Sequence, residues 1–281
     1  MKRNGLSEDT ITSRTRNLKQ LAKMADLDDT EQTKERITSN TRWSKLTQRK
    51  YTETYTAYLR FIGKTWQKPT IKPETRLPFI PLESEIDQLI ATCGKTTATL
   101  LQTLKETGIR ISELVKLKWL NLTPQSKTLN ITPSKNSNPR ILPISDKLIN
   151  MLNQLPKNRE TIFSQNIDGH RDHFSTQRRT AANKLQNPRL LAITFHPLRH
   201  WKATMEYHKT KDILHVKYVL GHKNIANTMI YINIEQALFT EQNDEYTCKA
   251  AKTPDECMKL AESGFTKFDE IDGIHLYRKR K

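Results

Sequence analysis

The sequence has few cysteines, few acidic residues for its number of basic ones, and no long apolar run. Its 281 residues include three cysteines, which lack C-x-x-C spacing. That pattern argues against a disulfide framework or a zinc site and favours a reducing, intracellular setting. No stretch approaches the roughly 20 apolar residues that a membrane span needs. The basic start of the chain has no apolar run behind it, so no secretory signal is expected.

The charge balance is strongly basic. Lys and Arg number 47 against 30 Asp and Glu, which gives a formal net charge of +17. The surplus is +8 in residues 1–78 and +9 in residues 79–281, so it is not confined to one tail. Such a surplus attracts polyanions, and nucleic acid is the commonest one inside a cell. Charge alone does not separate DNA from RNA or from an anionic membrane surface.

Most of the chain has the apolar periodicity of helices, and a proline-containing stretch separates two helical domains. Residues 1–66 predict a helical domain, whose strongest helix, 47–66, has aromatic residues along one stripe. Residues 67–81 contain four prolines and predict a linker. Residues 82–239 predict a second helical domain, and 240–281 a tail with one helix and a hairpin. The predicted fold class is mainly α with small β-hairpins (α+β). Further helices are predicted at 146–155, 174–185, 196–207, 211–220 and 226–239.

Two hairpins interrupt the helical pattern. Residues 128–132 and 140–144 alternate between apolar and polar, and turn-forming residues separate them. This hairpin would place Lys135 at an exposed tip. In the tail, Thr253 and Pro254 predict a helix start. Asp272 and Gly273 predict the turn of a second hairpin.

Six residues suited to phosphodiester chemistry follow in order along the second half of the chain. They are Arg110, Lys135, His196, Arg199, His222 and Tyr231. An arginine fork binds two oxygens at once and stays protonated, so Arg110 and Arg199 are candidates to hold the two non-bridging oxygens. Glu113 lies three residues after Arg110 and is expected to orient it on a short helix.

The remaining residues suggest proton transfer and nucleophilic attack. Tyr231 is the predicted nucleophile, because its phenol, with a pKa of about 10, becomes reactive beside arginines and a histidine. Lys135 is predicted to protonate the leaving 5′ oxygen. His196 is predicted to accept the Tyr231 proton or donate to an oxygen, whereas His200 is expected to point elsewhere. His222 ends a predicted helix.

Each residue also has an ordinary alternative. Lys135 fits a solvated turn lysine, and Tyr231 fits a core tyrosine between two isoleucines. Tyr207 and Tyr218 are rival phenols. The order of all six residues together, more than any one of them, favours the catalytic interpretation.

Three stretches carry a family resemblance: 107–114 (TGIRISEL), 196–200 (HPLRH) and 220–223 (LGHK), the last continuing to Tyr231. Together they resemble the active-site motifs of the tyrosine recombinases, the lambda-integrase or phage integrase family. The resemblance covers 82–239 as catalytic domain, and 1–66 is similar in outline to the family's DNA-binding core-binding domain. The tail resembles the C-terminal hairpin of some archaeal integrase-like recombinases.

The resemblance implies a site-specific DNA recombinase that cleaves and rejoins double-stranded DNA through a covalent 3′-phosphotyrosine. It implies a homotetramer on two synapsed duplexes, no metal or other cofactor, and a cytoplasmic, nucleoid-associated location. Integration, excision and resolution are equally compatible with it. A type IB topoisomerase-like enzyme and a catalytically silent DNA-binding accessory protein remain alternatives, with an RNA-binding protein a distant third.

Overall fold

A computed structural model of the chain describes residues 5–73, 77–134, 137–239, 246–271 and 273–280. Two units are present, Met1–Arg76 and Leu77–Lys281, and their boundary falls inside the proline-rich stretch 67–81. The fold is mostly helical with two small antiparallel sheets, which confirms the predicted class. Among the described residues, no helix is long and apolar enough to cross a membrane.

The first unit consists of three helices around an aromatic and aliphatic core. They are α1 (Glu8–Leu21), α2 (Thr30–Thr38) and α3 (Lys45–Phe61). The predicted stripe on α3 is buried, and Tyr55 and Leu59 lie at its centre. The helix ends earlier than predicted, because Gly63 adopts a φ of 75° just beyond it. Trp66 therefore lies outside the helix but packs edge-on against Tyr55, with ring centroids 4.8 Å apart.

The second unit holds nine helices within its described residues. They are α4 (Glu83–Thr92), α5 (Lys95–Thr107), α6 (Ile111–Leu114), α7 (Asp146–Asn153), α8 (Ile167–Lys184), α9 (Phe195–Thr210), α10 (Ile213–Leu220), α11 (Ile230–Leu238) and α12 (Pro254–Glu262). The main core packs α4, α5, α7, α8 and α9 together. A smaller apolar cluster joins α9, α10 and α11, and it contains the predicted nucleophile, Tyr231.

Two helices begin four or more residues from their predicted start. The first, α8, begins at Ile167, seven residues before the predicted start, because Asn166 caps a polar first turn that has no apolar periodicity. The second, α11, begins at Ile230, since a short 3₁₀ turn, Ile225–Asn227, precedes it. Side-chain capping thus fixes the start of α8, whereas the preceding 3₁₀ turn delays the start of α11.

The first sheet confirms the predicted hairpin. Its strands are β1 (Leu122–Thr123), β2 (Thr128–Ile131) and β3 (Arg140–Pro143), in the order β1-β2-β3. The antiparallel register pairs Leu129 with Leu142 and Ile131 with Arg140. Strand β1 was not predicted, because two residues are too few to show an alternation.

The tail forms its own small sheet. Strands β4 (Tyr246–Ala251), β5 (Thr266–Ile271) and β6 (Ile274–Arg280) are ordered β4-β6-β5, with α12 packed against β4 and β5. The antiparallel pairing of β5 with β6 confirms the second hairpin. The capping box between Thr253 and Glu256 starts α12 where the sequence predicts it. Strand β4 was not predicted.

Candidate active site

Arg110 lies at the turn between α5 and α6. Gly108 ends α5 in the left-handed conformation, with a φ of 62°. Arg110 then caps α6, and its backbone N–H donates to Glu113 Oε2 at 3.1 Å. The guanidinium is partly exposed and donates from Nη1 to Ser137 Oγ at 3.1 Å. The side chain is thus held at its base while part of the guanidinium remains open to a ligand.

Arg199 is held under the same turn by two helix ends. Its side chain is buried in the first turns of α9, at 3% exposure. Nη1 donates to the Gly108 carbonyl at 2.6 Å and Nη2 to the Leu220 carbonyl at 2.7 Å. These carbonyls lie where α5 and α10 end, and helix C-termini favour cations. Burial lowers the pKa of Arg199 to about 9, with the Arg110 charge contributing, so the guanidinium stays protonated at neutral pH.

The turn after α10 carries His222. Gly221 has a φ of 67°, and a Cβ there would lie 2.5 Å from Arg140 Nη1, so only glycine fits without displacement. His222 Nδ1 forms a 2.9 Å hydrogen bond with Thr228 Oγ1. Burial, followed by the charges of Arg199 and Arg110, lowers the pKa of His222 to about 3. The imidazole is therefore neutral and fixed in orientation.

Tyr231 and His200 form a hydrogen-bonded pair. Tyr231 is the second residue of α11, lies in the smaller apolar cluster and is 2% exposed. Its hydroxyl lies 3.0 Å from His200 Nδ1. The expectation that His200 points elsewhere is therefore wrong. Residues four apart on a helix share a face, and His200 follows His196 by four, so both imidazoles lie on the site side of α9.

His196 is more exposed than His200. The two rings meet edge to face, with centroids 4.6 Å apart. Desolvation of its ring, then the charges of Arg199 and Arg110, lowers the pKa of His196. The predicted set thus comes together in part: the charges of Arg110 and Arg199 both act on His196, His222 and Tyr231.

Lys135 lies outside the described residues, but the hairpin residues on each side of it are described. Ser134 Oγ is 2.8 Å from Ser112 Oγ, and Ser137 Oγ donates to the Gly221 carbonyl at 3.1 Å. Both serines are buried. The two ends of this loop are thus anchored to the turns that carry Arg110 and His222.

A buried ion pair supports these turns, and one of its members, Arg140, was not among the predicted site residues. Arg140 Nη2 donates to Glu113 Oε2 at 2.9 Å, and neither side chain is exposed. Arg140 Nε also donates to the Val219 carbonyl at 2.8 Å. Glu113 contacts the Arg110 guanidinium only at 3.7 Å, so its closest cationic partner is Arg140. The alternation along β3 could have revealed that Arg140 is buried, because Arg140 shares the buried face of the strand with Leu142.

We expect Glu113→Gln to destabilise the second unit by roughly 3–5 kcal/mol, because removing one partner of a buried pair leaves the other charge uncompensated. Urea unfolding followed through the transition of that unit measures the effect. Glu160→Gln is the matched control, since Glu160 pairs with Lys118 on the surface and such pairs contribute about 0–1 kcal/mol. Equal shifts for the two variants would contradict the assignment.

Comparison with known proteins agrees with this geometry. The family model described as "Phage integrase family" matches residues 82–237. Tyrosine recombinase XerC of Natranaerobius thermophilus is 30% identical over 201 residues, covering 64% of this chain and 67% of the relative. Tyrosine recombinase XerA of Pyrococcus horikoshii is 26% identical over 188 residues, covering 63% of this chain and 66% of the relative. These alignments span about two thirds of each relative's length.

Two solved structures share the fold. A lambda integrase dimer bound to a COC′ core site superposes with a TM-score of 0.65 at 15% identity, over 86% of this chain and 75% of that one. The Tn1549 transposon integrase in complex with transposon right-end DNA gives 0.64 at 15% identity, over 84% and 95%. At these identities the likeness establishes the fold. Because the family model spans more than half of the chain, the protein belongs to the phage integrase family, the tyrosine recombinases.

Proposed function

We propose that this protein is a site-specific recombinase that cleaves double-stranded DNA, holds it as a 3′-phosphotyrosine and rejoins it to a new partner strand. One observation carries the proposal. Arg199 on α9 bonds to the carbonyls of Gly108 and Leu220, the Arg110 guanidinium bonds to Ser137, which bonds to the Gly221 carbonyl, and the Tyr231 hydroxyl bonds to His200, which is also on α9. Packing alone does not require two arginines beside a buried phenol.

Each residue then has a task. Arg110 and Arg199 hold the non-bridging oxygens of the scissile phosphate and stabilise the charge that develops in the transition state. His222 and His196 donate or accept hydrogen bonds at those oxygens. Tyr231 attacks the phosphorus, and Lys135 protonates the departing 5′ oxygen. The phosphotyrosine conserves the bond energy, so rejoining proceeds without ATP.

The remaining assignments follow the same proposal. Residues 1–66 form the core-binding domain on DNA, 67–81 the linker and 82–239 the catalytic domain, with 240–281 as an appended tail. The net charge of +17 supports contact with a DNA backbone from both units. We place the working form as a homotetramer on two duplexes, acting in the cytoplasm at the nucleoid. The Tn1549 and lambda integrases, which share the fold, were solved in complex with DNA, and this supports DNA as the partner.

The decisive experiment uses a pool of duplexes with a central nick and randomised flanks. The protein is incubated with the pool, denatured in detergent, and any attached DNA is recovered and sequenced. We expect covalent attachment at one recovered sequence, because the nicked fragment diffuses away and traps the adduct. DNA that the protein retains before the detergent step and releases completely after it would instead identify a silent accessory protein.

A second measurement separates recombination from relaxation. A supercoiled plasmid carrying two copies of the recovered sequence is expected to yield deletion or inversion products. Relaxed plasmid with no exchanged products would support a topoisomerase-like enzyme and overturn the proposal.

A further inference from the structure

We propose that His200 accepts the proton of the Tyr231 hydroxyl, and that His196 serves the phosphate oxygens instead. This inference rests on the proposed function, because it adds a catalytic residue to the same cleavage step. Its basis is the 3.0 Å contact between His200 Nδ1 and the Tyr231 hydroxyl. A general base must lie within about 2.6–3.2 Å of the proton donor, and His200 does.

The surroundings of the hydroxyl leave it few alternatives. The Tyr231 ring packs with Ala203, Val216 and Leu220, which offer no proton acceptor in their side chains. Within the part of the chain that the structure describes, the contact with His200 is the one hydrogen bond recorded for this hydroxyl. His200 is therefore positioned to accept the proton of the Tyr231 hydroxyl.

His196 occupies a different place. It lies one turn before His200 on α9 and is exposed, whereas His200 is half-buried. Its ring meets the ring of His200 edge to face, whereas the Tyr231 hydroxyl bonds to His200. An exposed imidazole beside Arg110 and Arg199 is suited to contact a bound phosphate. His196 thus contacts the phosphate, and His200 accepts the proton of Tyr231.

The charges around the pair favour a neutral base and a protonated phenol before DNA arrives. Burial, followed by the neighbouring His196 and Arg199, lowers the pKa of His200 to about 4. Burial raises the pKa of Tyr231, and the charges of Arg199 and Arg110 oppose that increase. A phosphodiester between the arginines adds negative charge, which offsets their field at His200 and strengthens it as a base.

The step balances as a single displacement. As the Tyr231 oxygen bonds to phosphorus, its proton passes to His200 Nδ1, and neutral His200 becomes an imidazolium. The bond from phosphorus to the 5′ oxygen breaks, and that oxygen takes a proton from Lys135. In rejoining, the 5′ hydroxyl attacks the phosphotyrosine, Lys135 regains its proton, and His200 returns its proton to the departing Tyr231 oxygen.

The first test measures cleavage of the recovered nicked duplex by His200→Asn. We expect adduct formation to fall by about 10²- to 10⁴-fold, the range typical of a lost general base. His173→Asn, the same change on the exposed face of α8, is the control and is expected to cleave at the wild-type rate. If the wild-type protein forms no adduct, the proposed function fails. If His200→Asn cleaves as fast as wild type, only the present inference fails.

The second test distinguishes a base from a structural residue. A fluorinated tyrosine at position 231 has a more acidic phenol and depends less on a base. We therefore expect this replacement to accelerate cleavage in both proteins to different extents. The fold-increase in His200→Asn should be at least ten times the fold-change in the wild-type protein. A substrate with sulfur in place of the 5′ bridging oxygen needs no general acid. It should rescue Lys135→Ala and leave His200→Asn slow, whereas rescue of His200→Asn by sulfur would overturn the assignment.

A third measurement needs no change to His200. In protein labelled with ¹⁵N-histidine, nuclear magnetic resonance reports which ring nitrogen carries the proton. We expect the proton on Nε2 and a free Nδ1 whose resonance shifts in Tyr231→Phe. A proton on Nδ1, donated toward the tyrosine oxygen, would overturn the proposal even if the substituted proteins did not fold.

Discussion

Phenylalanine in place of Tyr231 is expected to abolish covalent attachment to DNA and to leave DNA binding within about twofold of wild type. The substitution removes the oxygen that bonds to phosphorus but keeps the ring in its apolar cluster. The lost hydrogen bond to His200 costs about 1 kcal/mol of stability, which a folded unit tolerates. Detergent-resistant adducts on the nicked duplex report cleavage, and gel retardation reports binding.

Tyr218→Phe is the matched control for this substitution. Tyr218 is 52% exposed and donates from its hydroxyl to the Ile141 carbonyl at 2.9 Å. By its position in the sequence, Tyr218 is an alternative candidate for the nucleophile, but its hydroxyl bonds to strand β3. We expect Tyr218→Phe to cleave normally. An adduct that persists in Tyr231→Phe and disappears in Tyr218→Phe would transfer the nucleophile to Tyr218.

Removal of the Arg199 guanidinium has the second largest expected effect. We expect Arg199→Ala to slow cleavage by about 10³-fold or more, because one donor to a developing oxyanion contributes about 10²- to 10³-fold and this residue also anchors two turns. Arg199→Lys keeps a charge but loses the planar fork that reaches both the Gly108 and Leu220 carbonyls. We therefore expect lysine to recover only a minor part of the rate.

Single-turnover rates at saturating DNA measure this effect without interference from binding. Arg171→Ala is the control, since Arg171 pairs with Asp168 on the surface of α8. Arg110→Ala is expected to resemble Arg199→Ala in rate, although its partly exposed side chain makes it the less damaging change for stability. Near-normal cleavage by Arg199→Ala would contradict its role at the phosphate.

Local sequence signals predicted the residues that sit at helix ends. Gly108 and Gly221 indicate turns in the left-handed conformation, and the candidate residues Arg110 and His222 follow them closely. The antiparallel hairpin of β2 and β3 followed from alternation together with the turn-forming residues between the strands. The fold class was predictable for the same reason, because apolar periodicity is a local property.

Contacts between distant residues were harder to predict. Arg140 and Glu113 are 27 positions apart, and only the three-dimensional packing makes them a pair. The wrong expectation for His200 has a different cause, since helix geometry already places it on the face of His196. The early start of α8 and the strand β4 were missed because neither carries a regular apolar pattern.

The way Arg199 is held has a consequence for the nascent protein. Its guanidinium is bonded to the ends of α5 and α10, so it reaches its position only when both helices have formed. Tyr231 lies further along the chain than either helix and is the last of the set to be synthesised. Until Tyr231 has been added, the chain on the ribosome lacks the predicted nucleophile. A chain that has not reached Tyr231 therefore cannot form the proposed phosphotyrosine, and the proposed cleavage of DNA requires the finished catalytic fold.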